Sequence, residues 1–106
     1  MKIYEYTNKG SREVNQDFVT HSVISSNTAI MVVADGMGGY SFGEIASQVI
    51  SESIVEFVRM NISNFSPTEL LKESIIYAND CLMLKRLSLG AKSIGAVVSV
   101  LLTIEN

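Results

Sequence analysis

Asp35 is the residue of this 106-residue chain whose surroundings most invite chemistry. Val32-Val33-Ala34 leads into it, Gly36-Met37-Gly38-Gly39-Tyr40 follows, and a helix-like segment starts at Gly43-Glu44. A buried strand would hold Asp35 rigidly at its end, and the glycines would let backbone atoms approach a ligand that side chains would keep away. One carboxylate fixed beside open backbone suits a hard cation bound through oxygen. The same letters also read as a plain strand-to-helix turn, because Asp-Gly and Gly-Gly are strong turn dipeptides. On this stretch alone both readings stand.

A second segment adds weight to the first. Gly10-Ser11-Arg12-Glu13-Val14-Asn15-Gln16-Asp17-Phe18 places an arginine and a carboxylate five positions apart in a loop or strand start. The order Arg-x-x-Asn-Gln-Asp, then a strand ending in Asp-Gly-x-Gly-Gly, then Gly43-Glu44-Ile45-Ala46-Ser47 resembles the PPM family of metal-dependent protein serine/threonine phosphatases, the protein phosphatase 2C type. Ala78-Asn79 and Lys92-Ser93-Ile94-Gly95-Ala96-Val97 fall where that family has a helical Ala-Asn pair and a Met-Gly-Thr-Thr strand start. The likeness spans nearly the whole chain, with the last motif degraded.

The resemblance implies roles for particular residues. Asp35 would bridge two divalent ions, Mn2+ or Mg2+, and the backbone carbonyl of Gly36 would bind the second of them. Asp17 would help to hold that second ion, usually through water. Arg12 would grip the substrate phosphate, a task suited to its planar fork of donors. Asp35 and Arg12 are therefore the catalytic candidates, and Asp35, Gly36 and Asp17 the metal candidates. Phosphomonoester hydrolysis needs an activated water and neutralised phosphate oxygens, and two divalent metals supply both. Each residue also has a structural reading: Arg12 as a surface arginine, Asp17 as a turn cap. Glu44 reads better as a first-turn carboxylate stabilising the helix dipole than as a ligand. His21 lies in a predicted strand with no acid near it in sequence, and Met31, Met37, Met60 and Met83 read as packing residues.

Two departures from the family pattern bear on activity. Met37 stands where many members have a histidine proposed to protonate the leaving alcohol. The family's further metal-binding aspartates, in a Gly-Asp-Ser strand, a central Asp-Gly and a terminal Asp-Asn motif, are not in this sequence. The resemblance thus implies the N-terminal portion of a phosphatase domain over residues 1–106, with an incomplete binuclear centre. Metal-dependent hydrolysis of phosphoserine and phosphothreonine in proteins is the leading function. The alternative is a non-catalytic interaction or self-association module on the same scaffold. A nucleotide-binding glycine loop fits poorly, because there is no Gly-x-Gly-x-x-Gly and no Gly-Lys-Ser/Thr.

Composition narrows the partners. Apolar residues at 47% and charged residues at 18% describe a globular chain rather than a disordered one. A net charge of −3 argues against a nucleic-acid binder, which would carry a basic stripe. Cys81 is the sole cysteine, so no disulfide framework exists, and a reducing, cytoplasmic setting fits best. Met1-Lys2-Ile3-Tyr4-Glu5-Tyr6 lacks the apolar run of a signal peptide, and the longest apolar stretch is too short for a membrane span. The implied partner is a phosphoprotein substrate, without nucleic acid or membrane.

Periodicity supplies the scaffold. Lys2–Thr7 alternates as a strand, and Phe18–Ile24 and Thr28–Ala34 form a hairpin about Ser25-Ser26-Asn27. A helix from Phe42 to Asn61 carries its apolar stripe on Ala46, Val49, Ile50, Ile54, Phe57 and Val58. Ser66-Pro67-Thr68-Glu69 starts a second helix, with Leu71, Ile75, Ala78 and Leu82 on one face and an end before Gly90. Gly95–Ile104 reads as a buried strand, expected to be covered on both faces. The sum is an α+β fold: an antiparallel sheet with a pair of helices packed on one face. The near-continuous apolar run of Gly95–Ile104 predicts a homodimer or higher oligomer.

Overall fold

The computed structural model describes residues 17–37 and 42–105. The sheet begins with β1 (Asp17–Ser25), which turns through Ser26-Asn27 into β2 (Thr28–Gly36). Asn27 organises the turn: its Oδ1 accepts from Ser25 Oγ at 2.8 Å and from Thr28 Oγ1 at 3.1 Å. No non-glycine residue among those described has positive φ, so this link is not one of the primed turns of tight hairpins. The pairing slips instead by a bulge between Val23 and Ser25. At the site end the strands run further than the sequence alone predicted, β1 by one residue to Asp17 and β2 by two to Gly36.

The third strand, β3 (Ala96–Ile104), pairs antiparallel with β2, giving the order β1-β2-β3 with β2 in the centre. Asn27 ties its far end down, accepting from Glu105 N at 2.8 Å and donating its amide to Glu105 O at 3.1 Å. Between β2 and β3 run α1 (Gly43–Asn61) and α2 (Pro67–Leu89). Ser66 caps α2 by accepting from Glu69 N at 3.4 Å, with Pro67 at the first position. Gly90 closes it in the left-handed region at φ 67, the conformation glycine adopts without a Cβ penalty. No helix of the described residues is long and apolar enough to cross a membrane.

Helices cover one face of the sheet. Ile30, Val32 and Ala34 of β2 are fully buried beneath Ala46, Ile54 and Val58 of α1. α1 lies mainly over β1 and β2, and α2 packs beside α1 and reaches the sheet only at β3. Being flanked on two sides, α1 also buries Ser47, Ser51 and Ser53, small side chains that let neighbouring elements come close. The buried face of α2 is Leu70, Ser74, Ala78 and Leu82, not the predicted Leu71, Ile75, Ala78 and Leu82. Ile75 is 44% exposed. The helix is rotated so that a serine and an alanine face α1, whose position the sequence of α2 does not encode.

The prediction that β3 is covered on both faces is also corrected. Its burial alternates, with Val97 and Leu101 62% and 53% exposed and Val98, Val100 and Leu102 half-buried toward the helices. The helical layer lies on one side, so only every second side chain can reach it. Lys2–Thr7 lies outside the described residues.

Candidate functional site

The β1–β2 hairpin sets the site through its register. Asp17, the first residue of β1, is the direct cross-strand partner of Asp35, the penultimate residue of β2. Val97 of β3 flanks Asp35 on the other side. Phe18, Ala34 and Val98 form the next row and face the helices, Ala34 being fully buried. Strand alternation therefore puts Asp17 and Asp35 together on the face away from the helices. Directly opposed residues have Cβ atoms about 5 Å apart, close enough for one cation to meet both carboxylates.

Both aspartates are half-buried, and Asp17 Oδ1 is shielded from solvent. Like charges directly opposed across two strands repel, and a cation between them would turn that repulsion into shared ligation. Its backbone is firm. The ladder continues past β2, with Met37 N donating to Gly95 O at 3.2 Å, so Asp35 sits inside the hydrogen-bonded sheet and not at a frayed end.

Gly36 has a packing reason to be glycine as well as the one proposed from sequence. A Cβ there would lie 2.6 Å from Gly43 Cα and would overlap the Gly43 carbonyl. The start of α1 thus rests directly on the strand end that carries Asp35. Sequence reasoning placed Gly43 at the helix start and missed its contact with Gly36. The available signal was a second glycine opening the helix seven positions after the first.

The other candidates fall elsewhere. Arg12, Gln16 and residues 38–41 lie outside the described residues. His21 shares the open face of β1 with Asp17, but four residues along a strand is about 13 Å, beyond hydrogen-bonding reach of either aspartate. Glu44 is exposed in the first turn of α1, where it favours the helix dipole. Cys81 is half-buried on α2 beside Tyr77, whose phenol its side chain holds above the usual tyrosine range. Arg86 donates to Ala91 O at 3.3 Å beyond the C-terminus of α2. A groove of about 230 Å³ is lined by Thr20, Glu52, Val55, Glu56, Arg59 and Met60. It opens on the helix side of β1, across the sheet from the aspartates, and its Arg59 hydrogen-bonds to Ser22. Its concavity is thus separate from the paired carboxylates.

The donor set is the chemistry of a hard divalent cation: two carboxylates with a strand-end carbonyl next to them. Among the described residues no group of three His, Cys, Asp or Glu side chains converges. The site fits such an ion in kind and supplies part of its usual complement of six or more oxygens, leaving the rest to water or further groups.

Comparison with known proteins gives a consistent answer. A family model described as protein phosphatase 2C matches residues 6–97, which include Arg12, Asp17, Asp35 and Gly36. Protein phosphatase PhpP of Streptococcus pneumoniae is 40% identical over 50 residues. The same protein from another strain matches equally. Each match covers 46% of this chain and 20% of the relative's length.

Proposed function

Because the chain belongs to the protein phosphatase 2C family, we propose that it forms the N-terminal part of a metal-dependent phosphatase site acting on phosphoserine and phosphothreonine in proteins. The observation that carries this reading is the opposition of Asp17 and Asp35 at one end of the sheet, on the face free of helices. Two carboxylates in register offer one cation oxygen ligands from both strands.

Asp17, Asp35 and the Gly36 carbonyl would hold the metal, Mn2+ or Mg2+. When bound, such an ion lowers the pKa of a coordinated water and neutralises phosphate oxygens. The remaining work belongs to the chain itself. Asp35, fixed between two paired strands, accepts a hydrogen bond from the attacking water and aims it along one line. Asp17 holds the other side of the same point and limits how far the water can swing. Arg12 grips two non-bridging phosphate oxygens through its guanidinium and orients the ester for in-line attack. Gly36 lets α1 sit against the strand end, so the aspartates cannot retreat when charge gathers between them. Met37, 42% exposed, offers no proton, so the leaving alkoxide takes one from water.

Two carboxylates are fewer oxygen ligands than a tight divalent site has, which supports a 106-residue chain that binds metal weakly and turns over little by itself. The direct test is calorimetric titration of the purified chain with Mn2+, alongside hydrolysis of a phosphothreonine peptide and of para-nitrophenyl phosphate. The expected result is weak, saturable Mn2+ binding that disappears in both Asp17→Asn and Asp35→Asn, with hydrolysis close to background. Mn2+ binding unchanged in both variants would place the metal elsewhere and overturn the reading.

A further inference from the structure

We propose that Gly95 is a positioning residue of the metal site: its carbonyl, by accepting a hydrogen bond from Met37 N, turns the Gly36 carbonyl toward the Asp17 side of β2. The inference rests on the reading of Asp17, Asp35 and the Gly36 carbonyl as metal ligands, and adds what aims the third of them.

The Gly36 carbonyl and the Met37 N–H belong to one peptide group. No peptide bond among the described residues is cis, so this group is planar and trans, with its C=O and N–H pointing in opposite directions. Met37 N donates to Gly95 O at 3.2 Å, which directs the N–H at β3. The Gly36 carbonyl is therefore directed away from β3, to the side of β2 on which β1 lies. The register agrees. Gly36 stands opposite Ala96. Beside the hydrogen-bonded Met37 and Gly95 this is a non-hydrogen-bonded position, whose polar groups point away from the partner strand. Asp17 opens β1 directly across from Asp35. The carbonyl and the two carboxylates thus stand at one corner of the sheet.

A glycine carbonyl needs such a hold. Without a Cβ, Gly36 has backbone freedom that other residues lack, and its peptide group would swing if nothing fixed it. The Gly43 backbone limits it on the helix side, and Gly95 limits it along the sheet. Gly95 is itself well anchored. Its neighbour Ile94, 8% exposed, belongs to the same buried cluster as Ile54 and Leu82. Between α2 and β3, Ala91 N donates to Arg86 O at 3.1 Å, and the Arg86 side chain donates back to Ala91 O. Ile94-Gly95-Ala96-Val97 departs from Met-Gly-Thr-Thr everywhere but at the glycine. The hold on Gly36 is made by main-chain atoms, so that departure leaves it intact.

The test uses the 106-residue chain with 13C in its glycine carbonyls and 15N in its methionines. Gly36-Met37 is the one Gly-Met step in the sequence, so a carbonyl–nitrogen correlation spectrum shows this peptide group as a single signal. Mg2+ should move that signal saturably, and should not do so in Asp35→Asn. Replacing Ala96 by lactic acid makes the Gly95 carbonyl a weaker ester acceptor and deletes only an N–H that faces away from β2. Replacing Leu102 by its hydroxy acid does the same to the Leu101 carbonyl, opposite Met31 and far from the site. Both esters should lower the urea midpoint alike. Groups that orient a metal ligand typically cost about 10–100-fold in affinity when lost. A weakened one should therefore raise the Mg2+ requirement roughly fivefold in the Ala96 ester, with no change in the Leu102 ester. In the unmodified chain, reciprocity requires Mg2+ to tighten the Met37 to Gly95 bond. Exchange of the Met37 amide with D2O should then slow more than that of Glu105 N–H, bonded to Asn27 O at the far end of the sheet. A Mg2+ requirement unchanged in the Ala96 ester, or raised equally in both esters, overturns the proposal, as does equal slowing of the two amides. If the signal ignores Mg2+ or moves equally in Asp35→Asn, the metal reading itself fails and takes this inference with it. A response lost in Asp35→Asn but indifferent to the Ala96 ester overturns the role of Gly95 alone.

Discussion

Replacing Asp35 by asparagine should make the metal-free protein more stable while removing its response to metal. Asp35 and Asp17 are direct cross-strand partners, so their Cβ atoms lie about 5 Å apart. Two unit charges at that distance repel by about 0.8 kcal/mol in bulk water and about 3 kcal/mol at an effective dielectric constant near 20. Both residues are half-buried and each has a further interaction, so the cost falls between those limits, nearer the lower one. Asn keeps the size and hydrogen-bonding capacity of Asp and removes one charge. The expected gain in EDTA is about 1–2 kcal/mol, which for a domain of this size raises the midpoint of thermal unfolding by roughly 5–10 °C. Added Mn2+ should reverse the order. A ligand at a hundred times its dissociation constant stabilises the native state by about 2.7 kcal/mol, which the wild type gains and Asp35→Asn does not. The assay is urea unfolding followed by circular dichroism, in EDTA and across a Mn2+ series. Asp80→Asn, on an exposed part of α2, serves as control and should stay within about 0.5 kcal/mol of wild type. A loss of stability in EDTA on Asp35→Asn, or an equal Mn2+ response in both proteins, would refute the reasoning.

Four further outcomes are expected. Gly36→Ala should cost about 1–3 kcal/mol or more in urea unfolding, because its Cβ meets the Gly43 backbone, which can yield only if α1 shifts. Gly90→Ala, with open space around a left-handed backbone, should cost only about 1 kcal/mol. Ser51 Oγ is buried without a hydrogen-bond partner, so Ser51→Ala should be neutral or stabilising by up to about 1 kcal/mol; a clear destabilisation would show that the hydroxyl is satisfied. The Tyr77 phenol is held above its ordinary value of 10.0 by its hydrogen bond with Cys81, by the charge of Cys81 and then by that of Glu56. The stability it contributes is therefore complete below pH 10 and is lost as pH rises through the higher native value. Ultraviolet titration of Cys81→Ala should show one tyrosine ionising earlier than in wild type, and an unchanged curve would remove the Cys81 contact from the account.

Local signals located the elements closely. Ser66, Pro67 and Gly90 bound α2 because capping, a preset φ and a left-handed stop act within one turn and need no tertiary partner. Ser25-Ser26-Asn27 between two β-rich runs specified the hairpin, and the spacing of Ala46, Ile50, Ile54 and Val58 specified the buried face of α1. Asp35 could be singled out from its strand and glycines alone. Its pairing with Asp17, eighteen residues earlier, could not be derived from spacing, since a bulge anywhere in the hairpin would change which residue stands opposite; there the resemblance to a family supplied the expectation and the register supplied the contact. Tertiary packing decided the rest. α2 presents Leu70 and Ser74 rather than Leu71 and Ile75, because the position of α1 selects which of two overlapping apolar faces is buried. β3 is covered on one face although its composition suits burial on both, because composition records tolerance for burial and only the layer arrangement provides a neighbour. Gly43 against Gly36 is the plainest case: a glycine read in the sequence as a turn residue and one read as a helix start are also the contact that seats the helix on the strand carrying Asp35, and only segments folded against each other can reveal it.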